Sequence, residues 1–447
     1  MTTCRTLLLI AWVAVACSGE RATSDLDVTP GDLPPGEARP VDDTAASDEG
    51  REAPSAEGAE WVADADVVTG KQCAADNSPG AVAARDGFLE VCADPSRYPD
   101  AVCGDGSPYR FSYRPAQGAS QGLLLYFRGG GACNDYVSCW GIDGKGGAGR
   151  RVSTLENDVN TAPAVLPVLQ STLGIFFLAE PLNPLRAYDQ VHIAYCTGDA
   201  GLRDDTEVLA RPPEADADAP QSITTHFHGR DNLLFALDMA RELFANPHAI
   251  VMFGSSAGSH AALSAVPMVD ERWPDPQTPL ACYSEGGVGV GLLTLDQAVL
   301  DTIAAFDGQG GKRLVRFAQF SFISDKTQRS FAPTAWQDPQ AFQAGLKALL
   351  EARAAANPGN YRYFALPGTC HTLAQNVALF QQFTNASGSW KPVLPAVRPN
   401  PDLAEGGVAL TDWLTVLVTS PSFDASLANV AGDFATVVTT CPVPGSD

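Results

Sequence analysis

Residues 249–260 read AIVMFGSSAGSH, and within them Gly254, Ser255, Ser256, Ala257 and Gly258 fit G-x-S-x-G with Ser256 at the centre. A serine held this way can act as a nucleophile if a buried strand runs into a turn so tight that the residues two before and two after it must be small. Ile250 to Phe253 supply such a strand. The Ala-, Ser- and Leu-rich run from Ala257 to Val266 contains no proline and suits a helix directly behind the serine. The chain has 41 glycines, so the same five letters also describe an ordinary glycine-rich turn, and partners must decide between the two readings.

A serine hydroxyl is inert at neutral pH until a base removes its proton. In α/β enzymes that use this turn, an acid and then a histidine follow the serine in the chain. Of six histidines only His260 and His371 lie beyond Ser256. His260 falls one helical turn along the same helix, where its ring reaches back poorly. His371 follows the apolar run YRYFAL and the turn residues Pro367, Gly368 and Thr369, which is where a strand's carboxyl end would carry a base. Between the two, Asp325 closes the long run Leu314 to Ser324 and is the favoured acid, with Glu285, Asp301 and Asp307 as competitors. Asp325 could alternatively cap a helix beginning KTQRSF.

Negative charge developing on an attacked carbonyl needs backbone N–H donors. LLLYFRGGGACN offers a buried strand followed by Gly129, Gly130 and Gly131, and the residue after the serine, Ala257, offers another amide. A phosphate-cradling loop is the rival for the glycines. It fails because no G-x-x-x-x-G-K-[ST] occurs and Lys145 is followed by glycine.

These residues need a scaffold. Leu123 to Phe127, Val191 to Tyr195, Ala249 to Phe253, Leu314 to Ser324 and Tyr361 to Leu366 read as buried strands, the last of them as the final strand. Asn232 to Phe244 and Pro339 to Ala356 read as helices between them. Such alternation predicts an α/β fold, a mostly parallel sheet covered by helices, as a single large domain over residues 67–447. Ligands bind such sheets at the carboxyl ends of the strands. Residues 1–17 have Arg5, an apolar stretch and small residues before Cys17, which predicts an export signal. Ala14-Val15-Ala16-Cys17 resembles a bacterial lipobox with Ala14 in place of leucine, so Cys17 is the expected lipidation site, against ordinary cleavage nearby. Residues 18–66 form an expected acidic disordered tether. Membrane contact would then come through the N-terminal lipid alone.

Of the net charge of −23, residues 18–70 carry 14 acidic against three basic side chains, and the rest of the chain is acidic too. No basic patch exists for nucleic acid. Nine cysteines beyond the leader suggest disulfides in an exported chain, with one left over. Cys133 and Cys139 are the pair expected to be bridged first. The cysteine spacings make no zinc pattern.

The ordered set FRGGGACNDYVSC, VHIAYCTGDAG, HFHGRDNLLFAL, MFGSSAGSHAAL, ACYSEGG and PGTCHTL resembles the pectin acetylesterase and Notum family of carboxylesterases. The resemblance implies an α/β-hydrolase fold and removal of O-acyl groups, from polysaccharide or from protein, with no metal or organic cofactor. Carried across by motif, Ser256 is the nucleophile, Asp325 the acid, His371 the base, and Gly130, Gly131 and Ala257 the oxyanion donors. Where the plant-type motif has tryptophan this chain has Ala132, which bears on the acyl pocket; Trp140 is a candidate to fill that space. The expected function is a secreted or lipid-anchored esterase acting on O-acyl esters, O-acetyl groups on a polysaccharide foremost. A non-catalytic binding lipoprotein on the same scaffold is the alternative.

Overall fold

The computed structural model describes residues 88–142, 144, 174–176, 183–290, 293–372, 404–405, 408–420, 428–432 and 434. The leader with Cys17 and the acidic stretch 18–66 lie outside the described residues, as does Lys145.

The strands in chain order are β1 (Leu89–Cys92), β2 (Arg110–Arg114), β3 (Leu123–Phe127), β4 (Asp189–Ile193), β5 (Asp205–Ala210), β6 (Ser222–Phe227), β7 (Ile250–Ser255), β8 (Leu280–Glu285), β9 (Val315–Phe322), β10 (Tyr361–Leu366), β11 (Ala404–Glu405), β12 (Val408–Ala409) and β13 (Val430–Ala431). Nine of them make one sheet in the order β1-β2-β4-β3-β7-β8-β9-β10-β13. Pairing is antiparallel for β1–β2 and β2–β4 and parallel from β4 to β13. This is an α/β-hydrolase fold, a mostly parallel sheet with helices on both faces. The pair β5–β6 is a separate antiparallel ribbon.

The central strands are apolar throughout because both of their faces are covered. In β3, Leu123, Leu125 and Phe127 enter one core while Leu124 and Tyr126 enter another. Ile250 and Met252 of β7 divide from Val251 and Phe253 in the same way. The split follows from the two-residue period of a strand. Each side chain of this size stabilises by roughly 1.5–3 kcal/mol on burial.

The helices are α1 (Tyr136–Trp140), α2 (Gly229–Leu243), α3 (Ala257–Arg272), α4 (Leu293–Ala305), α5 (Lys326–Phe331), α6 (Pro339–Ala356) and α7 (Leu410–Thr419). Residues of α2, α3, α4 and α6 fill the first core; Leu410, Trp413, Leu414 and Leu417 of α7 fill the second. Helix α6 has the expected bounds. Asp338 caps it by accepting from Ala341 N at 2.9 Å, and Pro339 occupies the first turn, where a missing N–H costs nothing.

Other boundaries moved. Helix α2 starts three residues earlier than expected because the Gly229 amide finds an acceptor far off in sequence, Asp199 Oδ2 at 2.8 Å. Strand β4 ends at Ile193 rather than Tyr195: Ile193 O accepts from Arg128 N at 3.2 Å as the chain leaves the sheet. Helix α3 continues past Val266 through Pro267. The final strand is β13 rather than β10, and it pairs through Phe364 and Ala365.

Two disulfides are resolved to their partners, Cys133–Cys139, as expected, and Cys103–Cys196. Cys92 and Cys370 are disulfide-bonded as well. Cys282 is free; it packs inside the first core, where burial raises its thiol pKa and keeps it inert.

Bridge Cys103–Cys196 joins residues 93 apart in sequence and Cys133–Cys139 residues six apart. Replacing both Cys103 and Cys196 by alanine is expected to cost about 2–5 kcal/mol. Denaturant titration should place its midpoint below that of the Cys133→Ala, Cys139→Ala protein; the reverse order would reject the loop-closure argument.

Candidate active site

Strand β7 delivers Ser256 into a conformation that side chains rarely adopt, φ 55° and ψ −124°. A non-glycine residue there costs about 1–3 kcal/mol and persists only when its surroundings enforce it. The enforcement is close packing of backbone. A Cβ on Gly254 would lie 2.4 Å from Gly258 O, and one on Gly258 would lie 2.1 Å from Phe127 O. Both glycines of G-x-S-x-G are therefore required by contact. Ser256 N donates to Glu285 O at 2.8 Å, and Ser259 Oγ donates to the carbonyls of Gly254 at 3.0 Å and Glu285 at 2.6 Å, which ties the turn to β8.

His371 Nε2 lies 2.8 Å from Ser256 Oγ, and His371 Nδ1 lies 2.9 Å and 3.1 Å from the two oxygens of Asp325. A carboxylate only accepts, so the imidazole proton sits on Nδ1 and leaves Nε2 to accept from the serine hydroxyl. Asp325 has no solvent exposure and the His371 side chain only 15%. Gly286 lets His371 approach, since a Cβ there would meet His371 Cε1 at 3.0 Å.

Asp325 both caps a helix and contacts His371. It caps α5 by accepting from Gln328 N at 2.8 Å while it faces His371. Gln328 adds a second donor, Nε2 to Asp325 Oδ2 at 2.8 Å, and its Oε1 accepts from Val288 N at 2.9 Å. Sequence reading missed Gln328, although Asp-x-x-Gln at a helix start is a capping signature. Glu285, the strongest competitor of Asp325, is buried with its carboxylate accepting from Ser255 Oγ. Asp301 accepts from Gln297 within α4 and Asp307 from its own turn.

The glycine loop after β3 packs on the same turn. A Cβ on Gly129 would lie 2.3 Å from Ser255 O and 2.7 Å from Ser256 Cβ. Gly131 has φ 78°. Gly131 and Ala257 line a cavity together with Ser256 and His371; Gly130 precedes them in the loop, half-buried, and does not line it. Ala257 opens α3, where first-turn amides have no acceptor within the helix.

That cavity measures about 110 Å³, and its wall includes Ala132, Leu202, Val290, Phe331 and Ala332. Trp140 does not fill the space beside Ala132. It packs with Tyr136, Leu209 and Phe227 and donates from Nε1 to Thr225 Oγ1 at 2.7 Å. His260 does enter the wall. Burial, aided by the nearby Arg353 charge, lowers its pKa to about 4, so it is neutral at ordinary pH. Among the described residues no cluster of His, Cys, Asp or Glu has the arrangement a metal needs.

Residues 92–298 match the pectinacetylesterase family model. No curated protein matches the chain. Two crystal forms of the Wnt deacylase Notum from Drosophila are similar in structure at 15% identity. Form I covers 79% of this chain and 98% of its own with a TM-score of 0.51; form II covers 71% and 89% with a TM-score of 0.45. The likeness to form I carries the fold assignment.

Gly258→Ala forces a methyl group onto the Phe127 carbonyl and is expected to lose about 1–3 kcal/mol or more of stability; a thermal melt equal to wild type would refute the close approach. For His260, the unfolded chain binds a proton below about pH 6.5 while the folded chain does not until about pH 4. The unfolded state is therefore favoured as pH falls through that window. The melting temperature of wild type should drop more between pH 6.5 and 4 than that of His260→Leu, and parallel curves would exclude the linkage.

Proposed function

We propose that this chain, with its pectinacetylesterase match, is a serine carboxylesterase in which Ser256 is the nucleophile, His371 the general base and acid, and Asp325 the residue that orients and stabilises the imidazolium. The observation that carries the reading is the continuous contact from Ser256 Oγ through His371 to Asp325, at 2.8 and 2.9 Å, starting from a serine in a strained turn.

Ser256 Oγ attacks the ester carbonyl as its proton passes to His371 Nε2. The oxyanion is met by the amides assigned as donors, those of Gly130, Gly131 and Ala257, each of the order of 10²–10³ in rate for such donors. The tetrahedral species collapses, the alcohol leaves with the proton from His371, and a water activated by the same histidine releases the acid. Two features favour a small, uncharged acyl group. The cavity of about 110 Å³ is smaller than the ~150 Å³ apolar void that admits benzene. Among the described residues lining it none is lysine or arginine, in a chain of net charge −23, which favours an uncharged group. O-acetyl esters, on a polysaccharide of low negative charge rather than on polygalacturonate, fit both.

The disulfides Cys103–Cys196 and Cys133–Cys139 favour an oxidising compartment outside the cytoplasm. The same proposal keeps the export signal 1–17, lipidation at Cys17, the tether 18–66 and the catalytic domain 67–447.

Ser256→Ala should abolish turnover of p-nitrophenyl acetate and covalent labelling by a fluorophosphonate, with the melting temperature nearly unchanged; retained turnover rejects the assignment. Across a p-nitrophenyl ester series the rate should peak at the short acyl chains. Folded wild-type protein with neither turnover nor labelling would establish the non-catalytic binding scaffold instead.

A further inference from the structure

Two motifs have no part in the scheme above, YC-x-G-D at Tyr195–Asp199 and F-x-G-R at Phe227–Arg230. The structure joins them. Asp199, fully buried, accepts from Thr197 Oγ1 at 2.6 Å, Gly201 N at 2.9 Å and Gly229 N at 2.8 Å. A Cβ on Gly229 would lie 2.3 Å from the carboxylate, so this position admits only glycine. The carboxylate thus fixes the turn that holds Ala200, at φ 57° the other non-glycine residue besides Ser256 with positive φ among the described residues.

Ala200 N donates to Tyr195 Oη at 2.7 Å, and Tyr195 Oη donates to Gly131 O at 2.9 Å. Two residues further on, Cys133 N donates to Gly198 O at 2.8 Å. The two peptide units that follow the Gly130 and Gly131 amides are therefore held by the 195–200 turn. Tyr195 also belongs to a small buried cluster with Ala200 and Ala257, two residues that line the cavity. One residue is thus tied to both halves of the assigned oxyanion hole: Tyr195 reaches the glycine loop through its hydroxyl and shares a buried cluster with Ala257.

Resting on the esterase reading, we propose that Tyr195 is a positioning residue for transition-state stabilisation: its hydroxyl bridges Ala200 N and Gly131 O and keeps the glycine-loop amides in register with Ala257. A hydrogen bond that serves only the fold would affect stability without selecting between bound substrate and tetrahedral adduct. A bond that aims oxyanion donors affects the tetrahedral state far more than ground-state binding, because those donors meet full negative charge only there.

The test is Tyr195→Phe, which keeps the ring and deletes the hydroxyl, beside wild type and Ser256→Ala. The measurements are kcat and KM for p-nitrophenyl acetate, the inhibition constant of phenylboronic acid as a tetrahedral-adduct former, and the melting temperature. Misplacement of about 1 Å costs on the order of 100-fold, so kcat is expected to fall about 10- to 100-fold, boronate affinity to fall with it, and KM to stay within about twofold. Wild-type kcat and boronate affinity in Tyr195→Phe would overturn the proposal. So would a variant that fails to fold, or a KM that rises as much as kcat falls, since either assigns the hydroxyl to structure or general binding. An inactive, unlabelled wild type is a different result and counts against the esterase reading itself.

Discussion

Everything at the site depends on how closely three backbones meet. Strand β3 ends at Phe127, strand β7 ends at Ser255, and helix α3 starts at Ala257; they come together where Gly129, Gly254 and Gly258 each lack a Cβ. The separations of 2.1 to 2.4 Å from a hypothetical Cβ to the facing carbonyl oxygens leave no room for even a methyl group. This crossing imposes the positive φ of Ser256, turns its hydroxyl out of the sheet, and sets the distance from the glycine loop to Ala257. Strain in one residue is supported by a core that holds both adjoining strands on two faces.

The Asp325 side of the site follows a different logic. A buried carboxylate is tolerated when its oxygens are hydrogen-bonded. Asp325 receives two donors from Gln328 and one from His371, and the capping bond to the Gln328 amide also begins helix α5. Gln328 then reaches Val288 on the far side. The orientation of His371 is thereby coupled to the start of a helix and to the loop after β8. Asp199 repeats the pattern in another place, its carboxylate gathering the amides of two loops and setting the first residue of α2.

The central strands and helix α6 were legible in the sequence because their signals are local. An unbroken apolar run such as LLLYF or YRYFAL has few alternatives to a doubly covered strand, and Asp338-Pro339 marks a helix start by its own chemistry. The choice of Ser256, Asp325 and His371 was legible as well, because chain order and strand-end placement are properties of the sequence, and the structure brings those three side chains into contact. The Cys133–Cys139 bridge was legible from its short loop.

What only the tertiary structure decided depends on partners distant in sequence. The true start of α2 is set by a carboxylate 30 residues away, and the end of β4 by the loop it joins. Trp140, near Ala132 in sequence, is held in another cluster by Thr225. The sequence disfavours His260 as a base because its ring, one helical turn along, reaches back poorly to the serine hydroxyl; folding places it in the wall of the same cavity, where the field of Arg353 adds to its burial. Tyr195 read as the end of a strand, and only the meeting of two loops shows its hydroxyl between Ala200 and Gly131. Sequence specifies residue types and local periods, which suffice for elements and for an ordered set of reactive groups; which polar groups satisfy one another across the molecule is settled only when burial makes each unsatisfied one costly.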